Sequence, residues 1–334
     1  MTISREEDGK AGRRRREHPA GRVHRILFPT DFSPQAMAAW PVAVNLARGR
    51  GAALYLLHVV TPPVFGLSPE AGIIGQPVID DVLAEAGSVL GALAAPAHAL
   101  GVDTRPVTRV GEAAAGILAC ADEEGIDLIV MATTGRTGLV HALMGSVAER
   151  VVRQAVCPVL TVRHDPRVTP APLTEAALPR LRQILVPLDG SPLTEAALPG
   201  IIRVATRYRA AVRLLQVVHA HALRPVDLEA AQVRCVQDAE TYLADIERSL
   251  AAVGLSTVTA VRYGETLAEI ADDIQVNRPD LVALATHGRT GLFHLVLGSV
   301  AEHVLRISPV PVLLFPVRAL PVDRPAETSS LAAP

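Results

Sequence analysis

Aromatic side chains are scarce in this chain: Phe, Trp and Tyr make up 3% of its 334 residues. Alanine, valine and leucine dominate instead, a composition that suits helices packed on parallel strands. Cysteine is scarce too. Cys120, Cys157 and Cys235 lack metal-like spacing and lie in apolar or helical contexts. They read as small core thiols in a reducing compartment. Charge of either sign is not in excess, since 32 Lys and Arg face 34 Asp and Glu. A net charge of −2 excludes nucleic-acid binding driven by the charge of the whole chain. No apolar run reads as a membrane span: Ala52–Val60 is interrupted by His58 and stopped by Pro62 and Pro63.

Several nucleotide and metal signatures are missing as well. There is no G-x-x-x-x-G-K-S/T, which excludes a P-loop, and no G-x-G-x-x-G after the first strand, which argues against a dinucleotide fold. No serine-glycine-glycine pyrophosphatase loop follows that strand. The 11 histidines form no paired metal motif. His141 and His294 recur at matching places and read as surface or packing residues on short helices.

What the chain does have is a repeat. Residues 131–146 read M-A-T-T-G-R-T-G-L-V-H-A-L-M-G-S and residues 284–299 read L-A-T-H-G-R-T-G-L-F-H-L-V-L-G-S. Each copy follows an apolar run, Leu128–Met131 or Leu281–Leu284, of the kind buried on both faces of a parallel sheet. Each precedes a helical pattern, Val147–Ala155 or Val300–Ile307. Strand, glycine loop and helix start make an anion site, because glycine admits close approach and the helix start offers unpaired N–H groups. The alternative is a turn shaped by its glycines, with Ser146 and Ser299 serving only as N-caps.

The remaining elements repeat in the same order. The first domain is expected at 24–164, with strands near Ile26–Phe28, Leu54–Val60, Thr104–Arg109, Asp127–Met131 and Pro158–Arg163. Ser33-Pro34 opens a helix running to about Arg48, kinked at Pro41. The second domain is expected at 182–318, where Pro187-Leu188-Asp189 answers Pro29-Thr30-Asp31, Pro199 answers Pro41 and Gly264-Glu265 answers Gly111-Glu112. Residues 165–181 form a linker rich in proline and alanine. Its octapeptide P-L-T-E-A-A-L-P at 172–179 recurs at 192–199, a local duplication with no site attached. Residues 1–23, with the basic run Arg13–Arg16, and residues 319–334 are expected to be disordered tails. No apolar segment follows the arginines as an export signal requires. The alternative is an arm for an acidic partner or for nucleic acid.

Alternating strands and helices imply an α/β fold: two Rossmann-like domains, each a five-stranded parallel sheet of order 3-2-1-4-5 with helices on both faces. Ligands sit beyond the carboxyl ends of such strands, where the order reverses. That switch point brings Asp31 beside the first glycine loop and Asp189 beside the second. Each carboxylate can accept from ribose hydroxyls or an adenine amino group, or can close an Asx turn before Ser33 or Ser191.

P-T-D-F-S and P-L-D-G-S, L-L-H-V-V and L-L-Q-V-V, and the two glycine loops together resemble the universal stress protein family, in a tandem two-domain form. ATP-binding members of that family carry a glycine, two residues, a glycine, nine residues, then glycine and Ser or Thr. Gly135, Gly145 and Ser146 fit, as do Gly288, Gly298 and Ser299. The first glycine is replaced by Ala132 and Ala285, whose methyl groups crowd a phosphate unless φ there is negative. The resemblance implies that Pro29, Thr30, Asp31, the backbone of Val59, Ala132, Thr134, Gly135, Arg136, Gly145, Ser146 and Val147 hold adenosine and phosphates in the first domain. Pro187, Leu188, Asp189, Val217, Ala285, His287, Gly288, Arg289, Gly298, Ser299 and Val300 are implied in the second. Arg136 and Arg289 either neutralise phosphate or are simply solvated. Leu188 stands where the first copy has Thr30, and His287 where it has Thr134, so the two sites are expected to differ.

The function expected from this resemblance is a cytoplasmic stress-response protein that binds ATP, AMP or ADP, with Mg2+ beside a triphosphate. Its domains are expected to pack as an intramolecular pseudo-dimer through their last strands, and the chain as a homodimer or with a protein partner. Neither nucleic acid nor membrane is an expected partner. No acid or histidine pair repeats beside both loops, so at most slow hydrolysis is expected. The rival expectation is a nucleotide-independent interaction scaffold with degenerate sites.

Overall fold

The computed structural model describes residues 23–49, 51–61, 76–134, 144–167, 173–174, 180–219, 228–286 and 297–316. Its first half runs β1 (Arg25–Pro29), α1 (Pro34–Met37), α2 (Trp40–Arg48), β2 (Ala53–Val60), α3 (Gln76–Ala99), β3 (Thr104–Val110), α4 (Ala113–Glu123), β4 (Leu128–Ala132), α5 (Ser146–Gln154) and β5 (Val159–Val162). The second half repeats it: β6 (Gln183–Leu188), α6 (Pro192–Glu195), α7 (Leu198–Tyr208), β7 (Ala211–Val218), α8 (Leu228–Ala252), β8 (Thr257–Tyr263), α9 (Thr266–Asn277), β9 (Leu281–Ala285), α10 (Ser299–Ile307) and β10 (Val312–Phe315).

The strands form one ten-stranded sheet, ordered β3-β2-β1-β4-β5-β10-β9-β6-β7-β8. Within each half every pairing is parallel, in the expected order 3-2-1-4-5. The two five-stranded sheets are fused where β5 and β10 pair antiparallel, with Leu160 opposite Leu313. Thr161 spends its buried hydroxyl on this seam, donating to the Val312 carbonyl at 3.2 Å. Arg163 donates to the Arg306 carbonyl across it at 2.9 Å.

β1 and β4 are buried on both faces, so their runs are apolar without alternation. One core layer lies under α2, α3, α7 and α8 and includes Phe28, Leu54, Leu90, Val186, Leu214 and Leu243. The other lies under α4, α5, α9 and α10 and includes Leu27, Ile117, Val151, Leu185, Ile270 and Val304. Both layers draw residues from both halves, so the sheet and its cores are continuous across the seam. Leu173 and Leu181, from the expected linker, pack against the first layer.

The helix expected over 33–48 is broken rather than kinked. α1 ends at Met37 and α2 starts at Trp40, with Pro41 in the first turn, where its missing N–H costs nothing. Pro199 does the same for α6 and α7. α3 contains a 21-residue stretch, Ile79–Ala99, with the length and mean hydropathy of 1.2 that a membrane span needs. Here Leu90, Ala94 and Ala97, spaced by three or four residues, are buried in the core.

Candidate functional site

The carboxyl end of β1 is held by local bonds. The Thr30 amide donates to the Leu57 carbonyl at 2.8 Å and the Thr30 hydroxyl accepts from the Phe32 amide at 2.9 Å. Asp31 Oδ1 accepts from the Ser33 amide at 3.0 Å and from the Ser33 hydroxyl at 2.6 Å. That hydroxyl in turn caps α1, accepting from the Ala36 amide at 3.1 Å. The second half builds the same turn with a different relay. Asp189 Oδ1 accepts from the Ser191 amide at 2.9 Å and from the Thr194 hydroxyl at 2.8 Å. The residue after each aspartate must be left-handed: Gly190 at φ 76°, and Phe32 at φ 63°. For a non-glycine residue this conformation costs about 1–2 kcal/mol. Stacking of the Phe32 ring on His58, at 4.4 Å between centroids, offsets it.

The Asx turn expected as the alternative role of both aspartates is therefore formed. It engages Oδ1 and leaves each carboxylate half-buried at the end of its strand.

The starts of α5 and α10 follow β4 and β9, the neighbours of β1 and β6 in the sheet. Sequence reading gave the N-cap to Ser146 and Ser299. The caps are instead Gly145 and Gly298, in extended conformation at φ −72° and −59°, with no side-chain cap bond. The reason lies in the strand ends: the Gly145 amide donates to the Thr133 carbonyl at 2.7 Å, and the Gly298 amide to the Thr286 carbonyl at 2.9 Å. The serines are thereby pushed into the first helical turn. The first intrahelical bond of α10 is from the Glu302 amide to the Gly298 carbonyl, so the amides of Ser299, Val300 and Ala301 have no acceptor within the helix.

In the second half these groups share one cleft of about 740 Å³. Pro187, Leu188, Asp189, Val217, Ala285, Gly298, Ser299 and Val300 all line it. In the first half Pro29, Thr30, Asp31, Val59, Ala132, Thr134, Gly145, Ser146 and Val147 occupy the equivalent strand ends and helix start. Val59 is seated on α4, where its methyls lie about 3 Å from the point a side chain on Gly116 would reach. Gly135, Arg136, His287, Gly288 and Arg289, together with His141 and His294, lie outside the described residues.

Ala132 and Ala285 were the doubtful positions. Neither is among the non-glycine residues of positive φ. Each ends a strand, is nearly buried at 7% and 5% exposure, and belongs to the first core layer. The condition of negative φ set out above is met at both.

Sequence reasoning missed the α8 wall of the second cleft. Cys235, Asp238 and Tyr242 line it together with Thr194 and Gln216. Burial pushes the Tyr242 phenol well above its usual range, and the charges of Glu195 and Asp189 push it the same way. It also missed Glu112 and Glu265 as caps. Glu112 accepts from the amides of Ala114 and Ala115 at 3.0 and 2.9 Å, and Glu265 accepts from Ala268 at 2.7 Å. The signal was present: each follows a glycine, Gly111 or Gly264, whose φ of 145° or 157° turns the strand into the helix. Among the described residues no group of His, Cys, Asp or Glu has the arrangement of a metal site.

The sequence model of the universal stress protein family matches the chain twice, over residues 22–163 and 180–316. A universal stress protein of Methanocaldococcus jannaschii is 38% identical over 141 residues, covering 42% of this chain and 81% of the relative. One of Bacillus subtilis is 33% identical over 146 residues, covering 42% of this chain and 99% of the relative. One of Mycobacterium tuberculosis is 31% identical over 192 residues, covering 56% of this chain and 61% of the relative. Among solved structures, a universal stress protein from Archaeoglobus fulgidus superposes with a TM-score of 0.65 at 20% identity, covering 89% of this chain and 98% of that one. That likeness concerns the fold, and the two family matches span nearly all of it. The chain belongs to the universal stress protein family, with two family domains in tandem.

Proposed function

We propose that this protein is a nucleotide-binding module of the stress response that holds ATP, or AMP or ADP, in the cleft of one or both halves. The observation that carries the reading is the second cleft itself. The amide-bearing start of α10 and Asp189 line the same space, about 740 Å³ in volume. The first-turn amides suit a polyphosphate, and the partial positive charge of the helix start favours it. Asp189, and by analogy Asp31, suits the sugar hydroxyls or an exocyclic amine. Val59 and Val217 offer backbone groups to the base.

The loop residues Gly135, Arg136, His287, Gly288 and Arg289 belong to the same proposal. Mg2+ is taken in with a triphosphate, since its charge neutralises the phosphates and it needs few protein ligands. The halves act as an intramolecular pseudo-dimer, and binding rather than turnover is the role. Buried cysteines at Cys120 and Cys157, in no disulfide, suit a reducing, cytoplasmic setting.

Calorimetric titration of the full chain with ATP and Mg2+ at millimolar concentration is the test. One or two saturable sites are expected. No heat and no thermal shift would instead favour the scaffold reading, in which the paired domains dock a protein partner without nucleotide.

A further inference from the structure

The two halves differ at the sixth position of their second strands. Residue 58, sixth in β2, and residue 216, sixth in β7, are equivalent. In the first half this is His58, whose Nδ1 lies 2.8 Å from the Thr30 carbonyl and whose ring stacks on Phe32. In the second half it is Gln216, paired in register with Leu188 and lining the cleft. Gln216 is 8% exposed, and its Oε1 is buried with no hydrogen-bond partner among the described residues. An orphaned buried acceptor costs about 1–3 kcal/mol, so its presence at a cleft wall calls for a donor from outside.

Its position says which part of a ligand it meets. α10 follows β9, β6 lies next to β9, and β7 next to β6. Two strand spacings, about 10 Å, therefore separate the helix start from Gln216. That is the span from phosphate to base in a mononucleotide. Oε1 can accept from the 6-amino group of an adenine, whereas a 6-oxo group is itself an acceptor and cannot satisfy it.

Building on the proposed nucleotide site, we infer that Gln216 is the specificity-determining residue of the second cleft, selecting a 6-aminopurine over a 6-oxopurine. His58, tied to Thr30 and Phe32, exerts no such selection in the first.

ATP and ITP differ only on that edge of the base, at the 6-substituent and the proton on N1, and calorimetry of the full chain with each is the test. The wild type is expected to show a class of sites preferring ATP by about 10- to 100-fold, the effect of one buried bond made or left unmade. Gln216→Leu is expected to bring the preference within about threefold, while His58→Leu leaves it in place. Gln216→Met repeats the test should the Leu variant fail to fold. Equal binding of ATP and ITP by the wild type, or a preference that survives loss of Gln216, overturns the inference but leaves the nucleotide site standing. Binding of neither nucleotide overturns both.

Discussion

Arg213 on β7 grips the carboxylate of Asp273 on α9 with two bonds, Nε to Oδ2 at 2.8 Å and Nη2 to Oδ1 at 2.7 Å. Asp273 has no exposed side-chain surface, and Asn277 and Arg262 also reach its Oδ1. The equivalent positions in the first half are Tyr55, third in β2, and Cys120, eight residues after the capping Glu112 as Asp273 is eight after Glu265. One half thus fills this place with a polar network and the other with a phenol ring and a buried thiol. Removing one partner of a buried pair strands a charge and costs about 3–5 kcal/mol, whereas replacing both by packed groups is often close to neutral. Asp273→Ala is expected to destabilise by that amount. Arg213→Tyr with Asp273→Cys, which copies the first half, is expected to recover most of the loss. Denaturant unfolding followed by circular dichroism measures both, and a double variant no better than the single would refute the argument.

Gly200 on α7 lies under the ring of Phe315 on β10, so close that a Cβ at Gly200 would stand 2.1 Å from a ring carbon. The counterparts in the first half are Val42 and Val162, so bulk is shifted from helix to strand between the copies. Both Gly200 and Phe315 also line an apolar cavity of about 260 Å³ at the seam. Gly200→Ala is expected to cost about 1–3 kcal/mol, as overpacking does, with ring movement into the cavity setting the lower figure. Adding Phe315→Leu should return part of it. A double-mutant cycle in thermal melts gives the coupling, and additive effects would show that the contact is not what limits the site.

The repeat made most of this architecture legible. Apolar runs such as Leu281–Leu284 gave the buried strands, and their alternation with helical patterns gave the parallel order within each half. Proline and serine at 33–34 and 191–192 marked helix starts that the structure contains. What periodicity could not supply was where an element hands over to the next. Gly145 and Gly298, rather than the serines, became caps because their amides are drawn to carbonyls of the preceding strand, a bond that exists only after the strand is placed. Pro41 and Pro199 read as kinks, because one residue cannot tell a bent helix from two helices meeting. The α8 wall of the second cleft was illegible for another reason. Tyr242 and Cys235 belong to no motif, and only the fold carries them to the mouth of β7.

The caps Glu112 and Glu265 make the helices α4 and α9 acid-sensitive. Both carboxyls are held below their ordinary value of 4.5, first by the helix amides that they accept from, Ala115 and Ala268. A depressed folded-state value means that the stabilisation is complete above the unfolded value. It is lost as pH falls below 4.5 and through the folded value. Glu112→Gln and Glu265→Gln keep an acceptor but cannot titrate. They are expected to flatten the acid limb of the melting temperature against pH and to change little near neutrality. An unchanged acid limb in the double variant would show that other carboxylates set it.

The last prediction separates the two uses of glycine at the helix start. Gly298 is the N-cap of α10 at φ −59°, a conformation open to every residue, so nothing in its own backbone demands glycine. What a side chain there would change is the approach to the amides of Ser299 and Val300. Gly298→Val is therefore expected to lower the melting temperature of the ligand-free chain only modestly, by the N-cap preference for glycine over valine, while weakening ATP binding at the second cleft by more than about tenfold, the loss of about 1.4 kcal/mol or more. Ser299→Ala keeps the amide and loses only a hydroxyl, so a smaller reduction is expected. Calorimetry with ATP and thermal melts without it check the pair. A Gly298→Val chain that binds ATP as the wild type does would remove the phosphate role of this helix start, and one that no longer folds would show that the glycine serves the fold.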